Sequence, residues 1–203
     1  MIAVVVLNGE PPQPERLRKL ASSFPVYAAD GGAEICLQAG VKPQWVAGDL
    51  DSAQVSKLPA DWEVRHFPEQ TRTDFQKVVA ELPDEVTDLV VLGGLGRRTD
   101  HLLTNLMIAS GFDEHLRISF EREDETLIRV TPQIPFEKTL GEGKTISLLP
   151  LSGAKDVQTE GLRWNLQGAE MKAGGQLGQS NEVMGPVSIR ISEGCLFVWL
   201  PKS

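Results

Sequence analysis

Cysteine is nearly absent. It occurs twice in 203 residues, at Cys36 and Cys195, far apart and in apolar settings. That excludes a disulfide framework as the expected organisation and reads as a reduced chain with two small core residues. Long apolar runs are also missing, since no stretch reaches the roughly 18 residues a membrane-spanning helix needs. The opening "MIAVVVLNGE" is only about strand length and has no basic leader. It reads as neither a signal peptide nor a membrane span, so a cytoplasmic location without membrane contact is expected. Positive charge is in deficit: 20 Lys and Arg stand against 28 Asp and Glu, for a net charge of -8. A nucleic-acid partner needs the opposite balance and is not expected. A nucleotide substrate is still allowed, because a metal can mask its phosphates. Only three histidines occur, and none stands with a serine or cysteine in a triad arrangement. His66 and His115 read as ordinary strand-edge residues. His101, beside Asp100 at a helix start, reads as near a site or as a cap.

What is present is an ordinary globular composition, with 41% hydrophobic and 24% charged residues, in a chain long enough for a sizeable core. "IAVVVLN", "VYAAD", "QWVAGD", "EVRHF", "DLVVLGG" and "LRISFE" read as strands. Between them "PERLRKLASS", "AEICLQAG", "TDFQKVVAEL" and "DHLLTNLMIAS" carry helical spacing. Thr73 with Gln76 forms a capping box at the start of the third helix. This alternation predicts an α/β domain with a parallel sheet. Near Glu123 the pattern changes to "ETLIRVTPQ", "KTISLLPLS", "VSIRIS" and "CLFVWL", separated by Gly, Pro and Ser. The fold class expected is therefore α/β plus all-β: an N-terminal parallel-sheet α/β domain over 1–123, then a C-terminal antiparallel β-sandwich over 124–203.

Ligands of open parallel sheets bind outside the carboxyl ends of the strands. Polar residues converge there. Asp30 ends one strand, "GDLDS" (48–52) puts Asp49 and Asp51 after another, Asp74 opens a helix, and Asp100 follows "GGLGRRT". Any one of these is an ordinary cap or turn residue. Five along one edge, without Cys or His partners, suit a hard cation, and Mg²⁺ takes one or two carboxylates with waters and phosphate oxygens. Asp49 and Asp51 are read as holding Mg²⁺ that bridges a polyphosphate. "GGLGRRTDH" complements them, because Gly93 and Gly94 let backbone approach phosphate and Arg97 and Arg98 add charge. Lys77 lies three residues after Asp74, and either reaches phosphate or pairs with that aspartate. "GEGKTIS" (141–147) lacks the first glycine of a phosphate-binding loop and opens a strand, so it reads as a hairpin turn.

The stretches "ADGGAEICL", "PQWVAGDLDS", "EQTRTDFQK", "GGLGRRTDHLLTNL", "GLRWNL" and Ser180-Asn181 together resemble the thiamine pyrophosphokinase (thiamine diphosphokinase) family, in the family's order and over nearly the whole chain. The resemblance implies transfer of diphosphate from ATP to the hydroxyl of thiamine, giving thiamine diphosphate and AMP. It implies a homodimer with the site between subunits. It makes Asp49, Asp51 and Asp74 the Mg²⁺-linked carboxylates, and Asp30 and Asp100 further acids of the site. On the nucleotide side it sets Asp30, Gly31, Lys77, Gly93, Gly94, Arg98 and His101. On the thiamine side it sets Gln70, Ser180, Asn181 and Trp164, the last either stacking on the ring or belonging to the core. The proton acceptor is Asp74 or Asp100. Four residues depart from the family pattern: Thr71, Arg97 in place of a glycine, Thr99, and Gly178 where a serine is common. Thr71 and Gly178 keep open a diphosphokinase for another alcohol, such as a pterin. A non-catalytic nucleotide- or thiamine-binding protein is the alternative of another class. A nucleotide-sugar transferase, suggested by Asp-x-Asp, finds no support in "GGLGRRTDH".

Overall fold

The computed structural model describes residues 1–48, 58–175 and 178–202. It divides into two compact units, Met1–Asn105 with Phe120–Glu123, and Leu106–Ser119 with Asp124–Ser203. The described chain is mostly sheet, with four helices.

The first unit begins with β1 (Ile2–Val6), α1 (Pro14–Ala21), β2 (Val26–Ala29), α2 (Gly32–Ala39), β3 (Val46–Gly48), β4 (Val64–His66), α3 (Asp74–Ala80) and β5 (Asp88–Leu92). β1 pairs in parallel with β5 on one side and with β2 on the other, and β3 and β4 continue from β2. The strand order β5-β1-β2-β3-β4 therefore reverses direction at β1. Ala3, Val4, Val5 and Val6 have no solvent exposure, which is why this strand reads as an unbroken apolar run rather than an alternating one. α1 starts with Pro14 in its first turn and buries Leu17. α2 ends at Gly40, whose φ of 68° makes the left-handed cap. Val4, Val6, Leu17, Val26, Ile35 and Cys36 share one apolar cluster, so both helices are held by the side chains their spacing puts on one face. The expected capping box closes α3: Thr73 N donates to Gln76 Oε1 at 3.0 Å and Gln76 N to Thr73 Oγ1 at 3.3 Å.

α4 (Thr99–Ser110) and β6 (Arg117–Glu121) carry the chain onward, and their residues are shared between the units. In the first unit, Phe120 packs edge-on to Phe75, with ring centroids 6.0 Å apart. Glu121 accepts a hydrogen bond from Arg16.

The second unit continues through β7 (Glu125–Val130), β8 (Phe136–Lys138), β9 (Thr145–Leu149), β10 (Ala154–Leu162), β11 (Gln167–Met171), β12 (Gly178–Arg190), β13 (Glu193–Gly194) and β14 (Leu196–Pro201). β14 runs antiparallel between β7 and β9. β12 is long enough to serve two groups of strands: its start pairs with β9 and its end with β10 and β8. Val130, Ile146, Leu148, Val157, Val183, Ile189 and Val198 meet in one apolar cluster, so strands of both groups share a core. Four strands were legible from sequence, and they correspond to β7, β9, β12 and β14. β10 and β11 were not, because "AKDVQTEGL" and "QGAEM" place polar residues at most positions and bury only a few. "GEGK" is a turn, with Lys144 N bonded to Gly141 O at 3.3 Å ahead of β9.

Candidate functional site

A cavity of about 460 Å³ opens in the first unit at the carboxyl ends of β1, β2 and β5. Its lining includes Asn8 and Gly9 after β1, Asp30 after β2, and Gly93, Gly94 and Gly96 after β5. Gln70, Arg72, Asp74 and Lys77 line it from the approach to α3 and the helix itself, and Asp100, His101 and Asn105 from α4. The volume is that of a small-molecule site, and the position is where the strand order reverses.

Backbone proximity builds this floor. Gly9 N donates to Gly93 O at 2.6 Å, tying the exits of β1 and β5 together. Gly93 adopts φ 65°, and a Cβ there would lie 2.2 Å from Leu7 O. Only glycine fits both the conformation and the gap. Asp30 turns the chain from β2 into α2 with φ 38°, a left-handed conformation that Asp tolerates better than most residues. Its N–H is bonded to Ala47 O at 2.6 Å.

Charges are arranged in near pairs. The ammonium of Lys77 is buried, its side chain 4% exposed, and Nζ donates to Asp74 Oδ1 at 3.1 Å. The sequence alternative for Lys77, pairing with Asp74, is realised, and Lys77 also lines the cavity. Arg98 grips Asp100 with two bonds, Nε to Oδ1 at 3.1 Å and an Nη to Oδ2 at 2.6 Å. That hydrogen bonding pulls the Asp100 carboxyl down from the ordinary range to about 2 and raises the Arg98 guanidinium. Arg72 likewise holds Glu69. Arg97 adopts φ 55°, which costs a non-glycine residue about 1–2 kcal/mol.

Of the residues singled out in sequence, Asp30, Gln70, Asp74, Lys77, Gly93, Gly94, Asp100 and His101 border this one cavity. Gly31 precedes α2, and Asn8 packs against it so closely that a Cβ on Gly31 would sit 2.3 Å from the Asn8 amide nitrogen. Asp49 and Asp51 lie outside the described residues. Among the described residues no group of three metal-ligating side chains stands together. Asp74 and Asp30 nonetheless bring carboxylates to the cavity wall, the oxygen donors a hard cation takes, with no sulfur donor among the lining residues, so the donor chemistry fits Mg²⁺. Four polar wall residues went unread: Asn8, Arg72, Thr104 and Asn105. Asn8 stands at a strand exit like the aspartates, and that rule applied to "LNG" would have found it. Asn105, which donates to Gly94 O at 3.1 Å, sits inside a helix and gave no such signal.

Ser180, Asn181 and Trp164 belong to the second unit. Asn181 is buried and clamps the Trp164 backbone, accepting from Trp164 N at 3.2 Å and donating to Trp164 O at 2.8 Å. Ser180 has φ 56°, with its N–H bonded to Ser147 Oγ at 2.9 Å. The core alternative for Trp164 is overturned: its side chain is 59% exposed, under the Arg163 guanidinium 5.1 Å from the ring centre. It sits outside the apolar cluster because residues 163–166 form a loop between β10 and β11. Gly178 departs from serine for a steric reason, since a Cβ there would lie 2.8 Å from Leu148 Cβ.

With that geometry in hand, comparison with known proteins gives consistent results. Residues 18–120 match the thiamin pyrophosphokinase catalytic domain and residues 131–196 the thiamin pyrophosphokinase vitamin B1 binding domain. The chain is 29% identical to thiamine pyrophosphokinase 1 of Oryza sativa subsp. japonica over 229 aligned residues, covering 97% of this chain and 85% of that protein. It is 33% identical to thiamine pyrophosphokinase 2 of the same plant, over 70% of this chain and 58% of that protein. Thiamin pyrophosphokinase from Candida albicans superposes with a TM-score of 0.82 at 16% identity, covering 100% of this chain and 89% of that one. The Bacillus subtilis thiamine pyrophosphokinase does so with 0.79 at 19%, covering both chains completely. At such identities the structural likeness is one of fold, while the two domain matches run over most of the sequence. The chain belongs to the thiamin pyrophosphokinase family.

Proposed function

We propose that this chain is a thiamine diphosphokinase, an ATP-dependent enzyme that moves a diphosphate from ATP to the hydroxyl of thiamine. The observation that carries this reading is the pairing of the two family matches with a cavity whose walls hold three aspartates and a buried lysine. The thiamine oxygen attacks the β-phosphorus, the bond between that phosphorus and the α,β-bridging oxygen breaks, and AMP leaves with that oxygen. Such transfers need positioning and charge stabilisation more than covalent chemistry. Lys77 supplies fixed positive charge at the wall. Gly93 and Gly94 let backbone come close to phosphate oxygens. Mg²⁺ would be held by Asp74 together with Asp49 and Asp51, and when bound it neutralises charge on the polyphosphate.

The proton of the attacking hydroxyl goes to Asp74 or Asp100, which both line the cavity and each pair with a cation, Asp74 with Lys77 and Asp100 with Arg98. Asp100 also orients Arg98 at the start of α4, through two hydrogen bonds. Ser180, Asn181 and Trp164, in a second unit we read as a β-sandwich, present thiamine. Trp164 offers an exposed ring suited to stacking, and Asn181 fixes the backbone that carries it. A homodimer with its site between subunits, domains divided at 123/124 and a cytoplasmic location complete the proposal, supported by the family resemblance.

Asp74→Asn tests the site. Loss of this carboxylate, as metal ligand or as base, is expected to lower turnover by at least about 10²-fold. AMP release at near-normal kcat from a folded Asp74→Asn protein would refute the assignment.

A further inference from the structure

Four cationic side chains stand at or beside the cavity: Arg72, Lys77, Arg97 and Arg98. Three are already answered by carboxylates, Arg72 by Glu69, Lys77 by Asp74 and Arg98 by Asp100. Among the described residues Arg97 makes no ion pair. Its guanidinium reaches back instead to Asn8, with one Nη 3.3 Å from the side-chain oxygen and 3.5 Å from the backbone oxygen. Asn8 lines the cavity, as does Gly96 immediately before Arg97. These long contacts occupy one nitrogen of the fork, and among the described residues the other N–H groups are left to bind an anion.

The backbone adds an independent observation. Arg97 holds φ 55°, a conformation glycine would take freely. Local strain kept at a site's edge points to a role for the side chain that requires it. No apolar burial explains it, because Arg97 is exposed.

We propose that Arg97 is a further phosphate-binding residue, gripping the polyphosphate that enters this cavity while Asn8 holds its guanidinium in place. The proposal rests on the diphosphokinase reading and assigns it a charge that the motif comparison leaves out, since Arg97 stands where the family pattern has glycine. Arg is suited to the task because its planar fork can meet two phosphate oxygens at once.

The test is calorimetric titration of the full chain with ATP and, separately, with thiamine, in the presence of Mg²⁺. R97Q keeps the length and removes the charge. It is expected to raise the ATP Kd about tenfold, the scale of one charge-assisted hydrogen bond. The thiamine Kd and the melting temperature should stay unchanged. R97K keeps the charge but loses the two-oxygen grip, and should fall between the unaltered protein and R97Q. R97G, which frees the backbone, should weaken ATP as R97Q does without lowering the melting temperature. An ATP Kd within twofold of the unaltered protein in both R97Q and R97G would overturn the proposal. If the unaltered protein releases AMP while those variants bind ATP normally, this inference alone falls. If the unaltered protein does not bind ATP, the inference and the diphosphokinase reading fall together.

Discussion

Replacing Arg129 with methionine would remove a cation from the interior of the second unit. Arg129 is 1% exposed. One Nη donates to Ala109 O at 2.6 Å and Phe112 O at 3.1 Å, and the other donates to Asp113 O and to Leu116 O at 2.5 Å. The side chain thus ties the last turn of α4 to the loop that follows; Ala109 O and Asp113 O also accept the N–H groups of Phe112 and Leu116. A positive charge there is also favoured by the helix dipole. Methionine fills similar space and answers none of the four. Each hydrogen bond from a charged group contributes about 1.5–3 kcal/mol. Against this, burial disfavours the charge and lowers the guanidinium pKa. Its Nε is also buried without a hydrogen-bond partner among the described residues. The net expected loss is about 3 kcal/mol, toward the lower end for breaking a buried charged cluster. For a chain of this size that corresponds to a melting temperature lower by roughly 6–12 °C. Urea unfolding followed by circular dichroism measures it directly. Arg129→Lys keeps the charge but cannot span four carbonyls, and should lose an intermediate amount. A loss below about 1 kcal/mol for Arg129→Met would refute the reasoning, since it would mean the carbonyls find water at little cost.

The Asp100 pair, the two thiols and Gly178 each carry an expectation of their own. The Asp100 carboxyl titrates near 2 because Arg98 binds its ionised form, so its stabilising contribution is present above the ordinary carboxylate pKa and is lost as pH falls toward 2. Carbon NMR of that carboxyl should show the low midpoint, and Arg98→Ala should return it toward about 3.9. Burial pushes the Cys36 thiol up to about 12 and the Cys195 thiol to about 11. Both should resist a disulfide reagent in the native protein at pH 8 and react on denaturation, and rapid native reaction would contradict their placement. Gly178→Ser should destabilise by about 1–3 kcal/mol, as overpacking does, because its Cβ would meet Leu148. Asp74→Asn, described above, tests the site itself.

The α/β half was legible because its chemistry and its fold write the same pattern. "IAVVV" and "VYAA" are buried along nearly their whole length, so they stay apolar, and the first polar residues after them, Asn8 and Asp30, mark the strand exits where ligands bind. Thr73 and Gln76 announced α3 because a cap is local and needs only four residues. Trp164 was harder. Its exposure depends on a loop between two polar strands, and neither strand has the alternation that would have revealed it. Asn105 escaped for a related reason: its contact with Gly94 joins a helix to a distant turn, and no local spacing encodes that. The pairing of Arg97 with Asn8 joins residues 89 apart in sequence, and only the closeness of the β1 and β5 exits brings them together.

The most direct test of the account is to identify the products formed from ATP and thiamine by the full chain with Mg²⁺, using phosphorus NMR and mass spectrometry. The account predicts AMP and thiamine diphosphate in equal amounts, with the two transferred phosphorus atoms arriving as a unit. ADP with thiamine monophosphate, or the absence of AMP with thiamine, would contradict it.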